Sequence, residues 1–311
     1  MPDTTAASLP PSDAAPRPLE GPLLLASLAL FWGTNWPAMK LALTGMDPWT
    51  FRALCLAAGG GGLLLAVRMT GRSLRIPEGD RWPLLVVSLF NVTGWQICSA
   101  VGLTFMEAGR ASIIAFTMPV WASLLGVLLL KERLTAARLA GLGLGLAALA
   151  LLVAPALDKL GAAPWGVVFM LGAAVSWAAG TVGLKLHRWS LDTVQLSGWQ
   201  LTLGGLPVVA GMLAFGEPAR LADAPWDSLA AALYAMLIPM IYCHWAWFRV
   251  VALFPANVAA LGTLAIPVVG VFSSGLLLGE RLGIAELAAL GLVVAALGLV
   301  LLAPGRRRAA R

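Results

Sequence analysis

Residues 128–134, Leu-Leu-Leu-Lys-Glu-Arg-Leu, return at 276–282 as Leu-Leu-Leu-Gly-Glu-Arg-Leu. Held at that offset, residues 105–152 lie over 253–300 with roughly 20 identities in 48 positions, far more than a leucine- and alanine-rich chain gives by accident. Pro119 falls on Pro267 in this register. A second echo opens each half, where Trp32 and Lys40 stand eight apart and Trp177 and Lys185 repeat the spacing. The chain reads as two copies of one unit.

Each copy is built from apolar runs of membrane length. Hydrophobic residues make up 59% of the 311 and charged residues only 12%, and the mean hydropathy is +0.86, more apolar surface than a water-soluble fold can bury. Runs of about 20 residues, the length that crosses hydrocarbon as a helix, fall at 22–43, 49–67, 83–105, 110–130, 135–154, 164–186, 192–215, 229–253, 256–278 and 283–303. The expected fold is an all-α membrane protein of ten transmembrane helices, arranged as two five-helix inverted repeats. Five is odd, so the second copy enters the bilayer in the opposite sense to the first. The expected organisation is a disordered tail over 1–21, a first repeat over 22–154, a linker over 155–163, a second repeat over 164–303 and a basic tail over 304–311.

Basic residues set the expected orientation. Fifteen of the 21 Lys and Arg collect in the even-numbered loops and at the two chain ends, which places both termini in the cytoplasm. The six elsewhere are Lys40, Arg52, Arg110, Lys159, Arg220 and Arg281. The net charge of +6 does not imply nucleic acid, because no basic stripe interleaved with aromatics exists. Cys55, Cys98 and Cys243 lie inside apolar runs and imply no disulfide framework. A His-Glu-x-x-His pair, a P-loop and a nucleophile with its base are all missing from the sequence, so no enzyme chemistry, cofactor or metal is expected.

The runs Phe31-Trp32-Gly33-Thr34-Asn35-Trp36-Pro37-Ala38-Met39-Lys40 and Ala111-Ser112-Ile113-Ile114-Ala115-Phe116-Thr117-Met118-Pro119-Val120-Trp121, with the Glu-Arg-Leu closings at 132–134 and 280–282, resemble the EamA family of the drug/metabolite transporter superfamily. The likeness covers nearly all of the chain except its tails. It implies a ten-helix transporter of the bacterial inner membrane that exports amino acids or other metabolites from a central site. In the second half, Trp177-Ala178-Ala179-Gly180-Thr181 stands where the first has Trp-Gly-Thr-Asn, so the resemblance does not imply an exact chemical equivalence of helices 1 and 6. A passive facilitator and a non-transporting sensor remain open from the sequence.

Polar groups deep in a bilayer are costly, which makes them candidates for a solute path. Trp32, Thr34, Asn35, Trp95, Gln96, Trp177, Thr181, Tyr242, His244 and Trp245 form that set, with helix packing as the alternative use for each. The repeat offset sets Gln96 against His244. Histidine is the side chain whose intrinsic pKa lies near neutrality, which makes His244 the candidate for a proton-coupled step, with a neutral ring hydrogen-bonded to a neighbouring helix as the alternative. Pro37, Pro119 and Pro267 are hinge candidates, each removing a backbone donor, or else static kinks. Lys40 and Lys185 read as snorkelling residues, and Glu132 and Glu280 as carboxylates favouring the starts of spans 5 and 10. Gly141 and Gly145, and Gly59 to Gly62, suit close helix packing or a homodimer contact. The expected partners are a small-molecule solute and the lipid bilayer, with no nucleic acid.

Overall fold

In the computed structural model, residues 19–130, 136–157, 165–253 and 265–302 are described. They form α1 (Glu20–Ala42), α2 (Pro48–Met69), α3 (Glu78–Thr104), α4 (Ala108–Leu130), α5 (Ala136–Leu157), α6 (Trp165–Leu186) and α7 (Thr193–Phe215). They continue as α8, whose pieces are Trp226–Leu237, Ile238–Tyr242 and Cys243–Leu253, then α9 (Ala265–Leu278) and α10 (Ile284–Leu302). Six of these, α2, α3, α4, α6, α7 and α8, are long and apolar enough to cross a membrane. The fold is all-α and multi-span. Helices are the solution the bilayer imposes, because no water is present there to satisfy an open backbone.

Local sequence sets the boundaries. Asp47 caps α2: its Oδ1 accepts the N–H groups of Trp49 and Thr50 at 2.9 and 3.0 Å, and Pro48 occupies the first helical position, where no donor is needed. Asp192 caps α7 in the same way, accepting from Val194 and Gln195, while the Gln195 side chain returns to the Asp192 N–H. Gly71 and Gly279, with φ of 75° and 67°, terminate α2 and α9 in a conformation that other residues resist.

Two helices carry a π-helical turn, Leu89–Gly94 in α3 and Ile238–Tyr242 in α8. Such a turn holds an extra residue, so its carbonyls open toward neighbours. Phe90 O accepts from Ser176 Oγ at 2.7 Å in α6, and Pro239 O accepts from Trp32 Nε1 at 3.3 Å in α1. Helix α4 breaks at Phe116–Thr117, just before Pro119, whose ring removes the donor that would have bonded Ala115. Pro37 leaves α1 continuous. Pro267 sits buried in the first turn of α9, next to residues outside the described set.

Packing runs between the two halves of the sequence. α2 lies on α7 and α5 on α10; α1 packs on α8 and α9, and α6 packs on α3 and α4. The core holds Phe51, Leu56, Ile113, Met170, Val208 and Val271, all essentially without exposure. Glycines bring the helices close: a Cβ on Gly33 would lie 2.5 Å from Val269 of α9, and one on Gly180 would lie 2.6 Å from the backbone nitrogen of Asn91.

Asp47 links this architecture to pH. Burial pushes its carboxyl up, but hydrogen bonds from Thr50 Oγ1 and from the N–H groups of Glu217, Thr50 and Trp49 outweigh that and hold it below its ordinary value. A depressed carboxylate contributes stability above its unfolded pKa and loses it as pH falls through the lower folded value. Asp47→Ala is expected to cost about 1–2 kcal/mol at neutral pH. The gap from wild type should narrow on acidification, as read from melting temperatures of the detergent-solubilised protein across pH; a gap that is constant with pH contradicts the charged cap.

Candidate functional site

The structure divides the expected path residues into two hydrogen-bonded clusters and a third group between α1 and α3. The first lies between α1 and α8, where the Trp32 ring meets His244 edge-on at 6.1 Å and is tilted against Trp247 at 6.0 Å. His244 Nδ1 lies 3.1 Å from Pro239 O. A carbonyl only accepts, so in a neutral ring the proton sits on Nδ1 and Nε2 is the acceptor, with no partner among the described residues. Tyr242 OH meets Ser27 Oγ at 2.9 Å, and Thr34 Oγ1 meets Tyr234 OH at 2.6 Å. Trp245, 55% exposed, packs its ring against Tyr242 at 5.8 Å on the outer side of this cluster.

The second cluster lies between α3 and α6. Asn91 Nδ2 donates to Trp177 O at 3.1 Å and to Thr181 Oγ1 at 3.2 Å. Asn91 belongs to the π turn of α3, as Pro239 belongs to that of α8, so both clusters form where a widened turn meets the first helix of the other half.

Between α1 and α3, Trp36 meets Trp95 edge-on at 6.5 Å. Their chain neighbours Asn35 and Gln96 carry the two buried side-chain oxygens without a hydrogen-bond partner among the described residues, Asn35 Oδ1 and Gln96 Oε1. A buried acceptor left unpaired keeps its full desolvation cost, so unpaired groups of this kind are where a ligand's donor adds most.

A cleft of about 660 Å³ opens between α1, α8 and α9. Thr34, Pro37, Tyr234, Asp227 and Leu277 are among the residues that line it. Thr34 alone of the sequence-derived polar candidates reaches it; Tyr234 and Asp227 were not anticipated.

The charged residues depart furthest from expectation. Lys40 does not snorkel: its Nζ donates to Leu103 O at 2.6 Å and Met106 O at 2.8 Å, capping the end of α3. Glu280 serves α4 instead of α10, accepting the N–H groups of Ala108 and Gly109 at 2.6 and 2.9 Å. The α3–α4 turn is thus held by a cation on its carbonyl end and a carboxylate on its amide end, the polarity that helix dipoles favour. The expectation for Glu132 lies outside the described residues. Arg52, read from sequence only as one of six basic residues off the majority side, is 4% exposed within α2. An arginine inside an apolar run was the signal that could have singled it out.

Residues 19–154 and 164–302 each match the EamA-like transporter family. The chain belongs to that family. Among its EamA relatives, an uncharacterized transporter of Bacillus subtilis (strain 168), YvbV, is 31% identical over 280 residues, 89% of this chain and 90% of its own. A second transporter of the same organism, YoaV, is 25% identical over 84% of this chain and 89% of its own. The inner membrane transporter YhbE of Escherichia coli (strain K12) is 29% identical over 71% and 78%. A solved crystal structure shares the EamA chain's fold with a TM-score of 0.63 at 22% identity, over 89% of this chain and 96% of that one. The protein is a membrane transporter of small solutes, not an enzyme.

The Lys40 and Glu280 contacts generate a test. Glu280→Ala leaves two helix-start donors without their acceptor and is expected to cost about 1–3 kcal/mol. Lys40→Met should cost a similar amount, and because both act on one turn the double variant should depart from additivity. Unfolding of the single and double variants in detergent checks this; strictly additive losses would show that the two groups act independently.

Proposed function

We propose that the chain is a multi-pass inner-membrane exporter that moves a small metabolite by alternating access between two inverted five-helix halves. The halves are residues 22–154 and 164–303, joined by 155–163, with tails 1–21 and 304–311 in the cytoplasm. The observation that carries this reading is the matched pair of π turns: Leu89–Gly94, carried forward by the repeat offset of 148, falls on 237–242, and the second turn is Ile238–Tyr242. The exchange of partners between halves, α1 on α8 and α9 against α6 on α3 and α4, supports the same symmetry. Related halves of this kind can expose one shared site to each side in turn.

The solute site in this reading gathers Trp32, Thr34, Asn35, Trp95, Gln96 and His244, with Tyr242, Trp177, Thr181 and Trp245 in supporting positions. Asn35 and Gln96 offer acceptors that the fold leaves unused, and the indoles supply flat apolar walls. His244 carries the proton-coupled step through its open Nε2, and Pro119, beside the break in α4, and Pro267 are the hinges. Pro37, which lines the cleft, is the third hinge in this reading. The inner-membrane location is supported by the relative YhbE.

A substrate-toxicity screen in cells overproducing the protein identifies the solute, since an exporter rescues growth. Proteoliposomes then test coupling: accumulation should require a proton gradient, and equal flux without one would leave a passive facilitator. His244→Gln should flatten the pH dependence of transport; an unchanged profile removes the histidine from coupling. Gln96→Met, which replaces an unpaired buried amide with an apolar side chain, should leave the melting temperature equal or higher while lowering transport by roughly tenfold. A variant that loses stability and keeps transport would assign Gln96 to packing instead.

A further inference from the structure

Arg52 differs from every other arginine whose partner is seen. Arg72, Arg81, Arg110, Arg220 and Arg249 each meet a carboxylate, and all are at least partly exposed. Arg52 is the one buried Lys or Arg among the described residues, and it meets none. Its Nε donates to Gln96 O at 3.0 Å, its Nη2 donates to Ser99 Oγ at 2.7 Å, and its guanidinium carbon lies 5.1 Å from the centre of the Phe51 ring. Both acceptors are neutral, so the positive charge is hydrogen-bonded but not neutralised.

A cation buried without a counter-ion is an expensive arrangement, and inside a membrane span such a group marks a ligand pathway more often than a packing solution. Arg52 is the fifth residue of α2, about 6 Å from the helix start. It therefore lies inside the span, at the end of the bundle where α1 finishes and α2 begins. The residue it grips is Gln96, whose own side-chain oxygen is buried and has no donor. One contact thus joins a cation that lacks an anion to an acceptor that lacks a donor.

We propose that Arg52 is the anion-recognition residue of the transport path and takes the carboxylate of the solute, while Gln96 Oε1 accepts an N–H or O–H from the atoms next to that carboxylate. The guanidinium fork suits this role, since its planar donors match the two oxygens of a carboxylate. The bonds to Gln96 O and Ser99 Oγ fix the plane of the fork and use Nε and one of the two N–H bonds of Nη2, leaving the other, with Nη1, which has no partner among the described residues, to meet the two oxygens of the solute. The inference rests on the transport reading above and narrows its solute to molecules that carry a carboxylate beside a hydrogen-bond donor.

The test uses the purified full chain in detergent and pairs of probes that differ only in the acid group: alanine and alaninamide, phenylalanine and phenylalaninamide, lactate and lactamide. At millimolar concentration, with chloride held constant, at least one carboxylate is expected to raise the melting temperature of wild type while its carboxamide does not. Arg52→Gln should abolish that discrimination, and Arg52→Lys, which keeps the charge and loses the fork, should retain it with affinity weakened roughly tenfold. If Arg52→Gln does not fold, the lysine variant alone decides: unchanged affinity overturns the proposal. Absence of any carboxylate preference in wild type, or its persistence in Arg52→Gln, also overturns it. A purely structural pin predicts lowered stability with discrimination intact. Carboxylate binding that persists in a protein unable to move the bound solute in proteoliposomes would sink the transport reading and leave this one standing. Gradient-driven transport indifferent to Arg52 would do the reverse.

Discussion

Every backbone donor and acceptor inside lipid must find its partner in the protein, and this requirement shapes the molecule from its helices to its site. Where the helices are regular, it is met internally. Where they depart from regularity, a neighbour supplies the missing half: Ser176 reaches Phe90 in the π turn of α3, and Trp32 reaches Pro239 in that of α8. At the break in α4, Thr117 satisfies the chain locally, donating to Ile114 O and accepting from the Trp121 ring. Irregular backbone therefore draws polar side chains inward, and two of the candidate-site residues, Trp32 and His244, meet at the Pro239 carbonyl in this way.

The same rule governs the ends of the bundle, with charge in place of neutral donors. Lys40 and Glu280 complete the α3–α4 turn from two different halves of the sequence, and Ser228 Oγ donates to Ala42 O at the end of α1. Asp80, 2% exposed, accepts from the Ser190 N–H and lies 2.8 Å from His187 Nε2, tying the start of α3 to the α6–α7 connection. The exposed Arg72–Asp192 pair adds little by comparison, because water screens it. The helix ends are held chiefly by buried or half-buried groups that close a backbone terminus.

The spans were legible because apolar run length is a one-dimensional property: the described helices lie within a few residues of the expected ones, apart from α3, which begins at Glu78 instead of 83 because its charged first turn packs against the α6–α7 connection, and α9, whose expected start at 256 lies outside the described residues. Membrane-length apolar helices account for six of the ten expected crossings among the described residues. Pro119 was legible as a weak point for the same local reason, since a missing donor belongs to the residue itself. Glu280 was misread because its partners lie about 170 residues away in sequence, and a helix start attracts carboxylates from any loop that reaches it. Arg52 and Tyr234 went unnoticed because burial and pairing are three-dimensional: sequence marks an arginine in an apolar run but not whether an acid stands beside it. The two unpartnered amides were named, although only the fold separates them from amides that found a neighbour, as Asn91 did.

The glycine contacts carry a mechanical consequence. At Gly33 the backbone of α1 rides directly on Val269, and at Gly180 that of α6 rides on Asn91, with no side chain between to act as a bearing. Sliding one helix lengthwise past the other would drive the opposing side chain out of its notch and into the next residue along, whereas tilting keeps it seated. In the alternating-access reading proposed above, Gly33 and Gly180 would serve as fulcra, with displacement largest at the helix tips and smallest beside the glycines.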